Sequence, residues 1–319
     1  MAALESLRQI YLASRFFGIS PYKMEWSHGK YIFSENKILL LYSVLLIGLI
    51  HPVISAYTVY YFYILIAKIE ELWYSWILTL NVIIFTVNFH LTPIISLRYR
   101  KDVCIQLNRI GEMQRFFEQL NRSTVNLMKL KVIHSIFLAI SISTVLIMAS
   151  MSIISDFFIY PDLLYKEAIF SIFQIPISLT LSISLLQYFA FLNIVRSFYG
   201  EINKFLSVKP VKNLDILKFL READMNLKDF LDVTSKRFSF TLITYIFQAF
   251  VSALDALLMF LYFNATLNLA LASYIVFIIT YSLLLTTTIC TMTSAEVSIV
   301  FFGRNFTYDK INFVTLLFR

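Results

Sequence analysis

Residues 238–262 read FSFTLITYIFQAFVSALDALLMFLY. They open the longest nearly uncharged part of the chain, since Asp255 is the one formal charge between Arg237 and Glu296. Tyr245, Gln248, Ser252, Asp255, Met259 and Tyr262 recur at steps of three and four, which puts them on one helical face. Leu, Ile, Phe and Val fill the opposite face. A carboxylate on a membrane helix costs several kcal/mol, so it is expected to face protein or water rather than lipid. This helix is expected to be one wall of a cavity, with the remaining chain supplying the other walls.

The composition agrees with a membrane setting. Mean hydropathy is +0.73, 59% of residues are hydrophobic and 15% are charged, where a soluble domain carries about 25% charged residues. A helix crosses a bilayer with about 20 apolar residues. Uncharged runs of that length predict spans near 38–61, 73–97, 132–155, 168–195, 238–262 and 270–293. The fold class is therefore expected to be all-α: a multi-pass transmembrane helical bundle of about six spans.

All but two of the 27 Lys and Arg residues fall in the leader, the tail and the two charged segments 98–131 and 196–237; the exceptions are Lys68 and Lys166. Positive charge is retained in the cytoplasm, which predicts a cytoplasmic amino terminus and long cytoplasmic helical extensions. Both charged segments carry helically spaced apolar residues, among them Val103, Leu107, Ile110, Met113, Phe117 and Leu120 in the first. That stripe is expected to pack on a partner. Of the sequons, only Asn264-Ala265-Thr266 would face outward on this layout.

In the leader, Leu7, Ile10, Tyr11, Ser14 and Phe17 form an apolar face before a turn at Gly18-Ile19-Ser20-Pro21. This reads either as an interfacial or re-entrant anchor or as a plain lead into the first span. Pro52, Pro93 and Pro176 should bend their helices. His51 is expected to be satisfied by a neighbouring carbonyl. Asn81, Asn88 and His90 should hydrogen-bond between helices, and Ser178 and Ser182 should allow close helix approach. Trp73, Tyr74 and Trp76 suit an interfacial belt, with Trp76 also placed to line a cavity.

The sequence carries neither HExxH nor GxSxG, neither a CxxC pair nor a phosphate-binding glycine loop. Four histidines are scattered, and Cys104 and Cys290 have neither disulfide-framework nor zinc spacing. Enzyme activity, a cofactor, a metal and nucleic-acid binding are not expected. A transporter would show an internal repeat, and none is visible.

The leader Phe16-Phe17-Gly18-Ile19-Ser20-Pro21, the aromatic-rich run into the first span, short outer loops and long inner segments after spans two and four, and 17% aromatic residues together resemble the insect gustatory receptors, a family of seven-span chemoreceptors. The resemblance covers most of the chain through its layout, as one transmembrane chemoreceptor-type domain over residues 1–319. It implies a plasma-membrane subunit of a ligand-gated cation channel, assembled with other receptor subunits as a homo- or hetero-tetramer and sensing a small organic tastant. The family's Thr-Tyr…Gln-Phe signature at the end of span seven has no counterpart here. Thr244-Tyr245 through Gln248 to Phe250 echoes it with the wrong spacing, and nothing is carried over onto it. The seventh, pore-lining span is thus expected to be missing, which gives the alternative of a truncated, non-conducting subunit that modulates full-length receptors.

On this layout Trp76, Gln174, Asp255, Tyr262, Tyr274 and Tyr281 converge in the outer half of the bundle as candidate ligand-binding residues. Aromatic faces would stack on carbon skeletons, while Asp255 and Gln174 would bind hydroxyls or an amine. The competing reading is that Asp255 and the tyrosines serve packing alone.

Overall fold

The computed structural model describes residues 2–27, 30–67, 72–121, 128–159, 164–208 and 214–262. The described residues are almost wholly helical. Short helices α1 (Ala2–Ser6) and α2 (Arg8–Phe16) lead into an antiparallel hairpin, β1 (Tyr22–Ser27) and β2 (Lys30–Glu35). Then follow α3 (Lys37–Leu45), a π-helical turn (Leu46–Ile50), α4 (His51–Ile66), α5 (Leu72–Arg98), α6 (Arg100–Asn121), α7 (Met128–Ile159), α8 (Leu164–Val208) and α9 (Leu214–Tyr262).

Spans one to five of the sequence reading fall on α3–α4, α5, α7, α8 and α9. Among the described residues, four stretches are long and apolar enough to cross a membrane: Lys37–Ile64, Ser75–Arg98, Ile172–Asn203 and Lys218–Leu254. In α7 the apolar stretch is Lys131–Ile147 among the residues whose side chains are described. The sixth expected span, 270–293, lies outside the described residues, as do Arg122 and Ser123 of the Asn121 sequon and the sequons at Asn264 and Asn305.

The helices begin and bend for local reasons. Asn36 caps α3, its side-chain oxygen accepting from the Ile38 and Leu39 N–H groups at 2.9 and 3.1 Å. Pro52 has no N–H to donate to the preceding turn, and the π turn Leu46–Ile50 lies directly before it. Pro93 and Pro176 sit inside continuous helices. Ile38, Leu41, Leu45, Leu49 and Val53 form an exposed apolar stripe along α3–α4, with Ile38 77% exposed. A face of that extent suits lipid rather than water. The central helix is α8, whose apolar window is 72% buried against 28% in the first span.

At 49 residues α9 is about 74 Å long, more than twice the ~30 Å hydrocarbon core of a bilayer. Its first part therefore projects beyond any membrane that the second part crosses. Here it meets α6 and the leader. Phe116 stacks on Phe219 with centroids 3.4 Å apart, and Arg109 pairs with Asp229 at 3.4 Å. Asn108 grips the hairpin through both backbone groups of Phe33, accepting at 2.9 Å and donating at 2.8 Å. Arg100 pairs with Glu35 at 3.0 Å, and Lys131 with Glu5 at 2.8 Å. The leader and both basic segments therefore share one end of the bundle.

Two sequence expectations change. Val103, Leu107, Ile110, Met113 and Phe117, expected to pack on a partner, are buried within the chain's own core. The leader is not a plain lead into the first span. Its residues 22–35 form the hairpin, with Met24 paired to Phe33 and Trp26 to Tyr31, and the turn before it is made by Gly18 at φ +73.

Cys104 lies inside this layer, and burial pushes its thiol up to about 12. The thiolate is the nucleophile. In a chain carrying C290S, Cys104 should therefore react with a maleimide at pH 8 on the order of a hundredfold more slowly in the native protein than in denaturant. Equal rates would contradict this burial.

Candidate functional site

Two polar arrangements lie within the apolar bundle. The first runs along α4, α5 and α9. Asn88 donates to the Gln248 side-chain oxygen at 3.0 Å, and one turn further Ser252 donates to that of Asn81 at 3.3 Å. Two rungs of the polar row of α9 thus face α5. Tyr245, earlier in the row, is buried. Across α5, Ser55 and the His90 Nε2 lie 2.8 Å apart, and His51 stacks on Phe89 with centroids 3.8 Å apart. The two imidazole centroids are 5.7 Å apart.

The interhelical role expected for Asn81, Asn88 and His90 is what the geometry shows. His51 differs from expectation, because its Nδ1 is buried without a hydrogen-bond partner among the described residues. The Asn88 side-chain oxygen and the Thr86 hydroxyl are in the same condition. Buried polar atoms almost always find partners, which sets these three groups apart. The Phe89 ring lies against His51 on the α4 side of α5, while Asn88 and Asn81 meet α9 on the other.

The sequence-derived pocket residues are only partly placed. Trp76 is 67% exposed on α5, and Gln174 is half-buried on α8. Asp255 and Tyr262 lie on α9, with their side chains outside the description. Tyr274 and Tyr281 lie outside the described residues altogether. The structure brings none of these six side chains into contact among the described residues.

The second arrangement centres on Arg237, a residue the sequence reading used only as the boundary of span five. Arg237 is 2% exposed. Its Nη2 donates to the Ile19 carbonyl at 3.0 Å, the Ser96 hydroxyl at 3.2 Å and the Gln187 side-chain oxygen at 2.8 Å. Gln187 in turn donates to the Ser20 hydroxyl at 2.9 Å and the Tyr22 hydroxyl at 3.2 Å. Tyr11 closes the network through the Tyr22 carbonyl and the Met24 N–H. One guanidinium thereby ties the leader, α5, α8 and α9 together. Among the described residues its Nε has no acceptor and no carboxylate pairs with it. The Phe238 ring adds a cation–π contact at 4.8 Å. This cluster is a structural joint with no catalytic group set: a planar donor array held by neutral acceptors.

Set against models of known protein families and against curated proteins, the chain matches none. What fold and site define is an all-α protein with several membrane-length helices and a polar row between them. The resemblance to gustatory receptors stands on the features of the sequence itself.

Proposed function

We propose that this chain is a subunit of a plasma-membrane chemosensory receptor of the insect gustatory type, with its amino terminus in the cytosol, which senses a small organic tastant and gates a cation conductance together with other subunits. The observation that supports the reading is the polar row of α9, whose Gln248 and Ser252 meet Asn88 and Asn81 of α5. By its spacing, Asp255 continues the row one turn beyond Ser252. A ligand offering a hydroxyl or amine and a carbon face would satisfy that chemistry. The arrangement of the basic segments at one end supports a common cytosolic side for the leader, α6 and the amino-terminal part of α9.

The test is electrophysiological. Co-expressed with a full-length receptor subunit, the chain should alter tastant-evoked cation current. Asp255→Ala should shift the effective concentration of hydroxylated or amine ligands by about tenfold, the worth of one charge-assisted hydrogen bond. A mutant that matches the unmodified chain for every ligand to which the latter responds would remove Asp255 from the pocket.

A further inference from the structure

The outer face of α2 is unlike the rest of the basic layer. Its inner face, Ile10, Tyr11 and Ser14, is buried against the bundle. Its outer face carries Arg8, Leu12, Arg15 and Phe16, all exposed, with Leu12 at 50% and Phe16 at 68%. These positions are spaced by four, three and one, so cation and apolar groups interleave on one stripe. Between Ser6 and Met24 the sequence holds three cations and neither Asp nor Glu. The nearest acid before them, Glu5, is taken by Lys131 at 2.8 Å, and the nearest after them, Glu25, is taken by Lys23. Arg8 and Arg15 form no ion pair among the described residues.

The position of this stripe fixes its surroundings. The Tyr42 hydroxyl of α3 donates to the Phe16 carbonyl at 2.6 Å. Tyr42 belongs to the same exposed apolar surface as Ile38, Leu41 and Leu45, at the basic end of the first span. The stripe on α2 is therefore continuous with a lipid-facing surface and sits where that surface ends. A helix with Leu and Phe pointing outward and arginines between them lies in the plane of a bilayer interface, apolar groups at the acyl boundary and cations among the headgroups.

We infer that the Arg8–Leu12–Arg15–Phe16 face is a binding surface for anionic phospholipid headgroups, the two arginines holding phosphate or carboxylate oxygens while Leu12 and Phe16 enter the acyl boundary. The occupant is lipid rather than a protein partner, because charge complementarity and continuity with the α3 surface both point to it. The inference depends on the membrane setting and is independent of the receptor reading.

The full chain, purified in nanodiscs of phosphatidylcholine with phosphatidylserine, should retain phosphatidylserine preferentially when analysed by native mass spectrometry. R8Q/R15Q should reduce that preference about tenfold or more, since each cation near an anionic surface contributes a several-fold factor. R8K/R15K should keep most of it, and inorganic phosphate should not displace the lipid. An unchanged preference in R8Q/R15Q, or displacement by inorganic phosphate alone, would overturn the assignment. A second readout needs no charge change: a fluorophore on L12C, in a chain carrying C104S and C290S, should be quenched by headgroup-level spin-labelled lipid. Quenching by an aqueous quencher as complete as in the denatured chain would also overturn it.

Discussion

Arg237→Met is expected to destabilise the protein by about 3 kcal/mol, read as a loss of thermal stability in detergent. The side chains are similar in length, so packing changes little. What is lost is the donor that serves the Ile19 carbonyl, the Ser96 hydroxyl and the Gln187 oxygen, and each buried acceptor left bare costs about 1–3 kcal/mol. Gln187→Leu should cost about 2 kcal/mol by the opposite route, leaving a buried cation with one acceptor fewer. Because both changes break the same contact, the double variant should be less unstable than the sum by about 1 kcal/mol or more. Simple additivity would mean that Arg237 and Gln187 are neighbours without being coupled. Arg237→Lys should recover only part of the loss, because a compact ammonium lacks the planar fork that reaches three elements.

The second large effect is expected at Phe117. Its ring is 1% exposed, with centroids 6.0 Å from Phe198 on α8 and 5.7 Å from Phe219 on α9. Phe117→Ala should cost about 3–5 kcal/mol, the transfer term plus the cavity. The loss should be local: amides of α6 and the hairpin should exchange faster while those of the membrane-length helices keep their protection. Ile105→Ser on the same helix, at a position 50% exposed, should stay within about 0.5 kcal/mol. Uniform loss of protection along the whole chain in Phe117→Ala would contradict a separable inner layer.

The helices were legible because long uncharged runs and three-to-four spacing are local signals, read without knowing what packs on what. The apolar stripe of α6 was legible as a face needing cover, whereas its cover is Phe219 and the hairpin, distant in sequence. The hairpin itself had a signal. Tyr22, Met24 and Trp26, then Tyr31 and Phe33, alternate along two paired strands, but each run is short and follows directly on an amphipathic leader. Arg237 gave no local sign, since its partners lie 50, 141 and 218 residues away and no periodicity marks such a meeting. The polar row of α9 was visible from spacing, and its rungs at Gln248 and Ser252 face α5. Of the proposed pocket members, Trp76 and Gln174 are placed but not in contact, and Asp255, Tyr262, Tyr274 and Tyr281 have side chains outside the description.

The most direct test of the account is the sidedness of its basic layer. In a chain carrying C104S and C290S, single cysteines replace Asp229, exposed in the amino-terminal part of α9, and Tyr63, 72% exposed toward the far end of α4. A membrane-impermeant maleimide applied to intact cells should label the Tyr63 site at once and the Asp229 site only after the membrane is opened. Labelling of the Asp229 site in intact cells would place the basic layer outside and contradict the account.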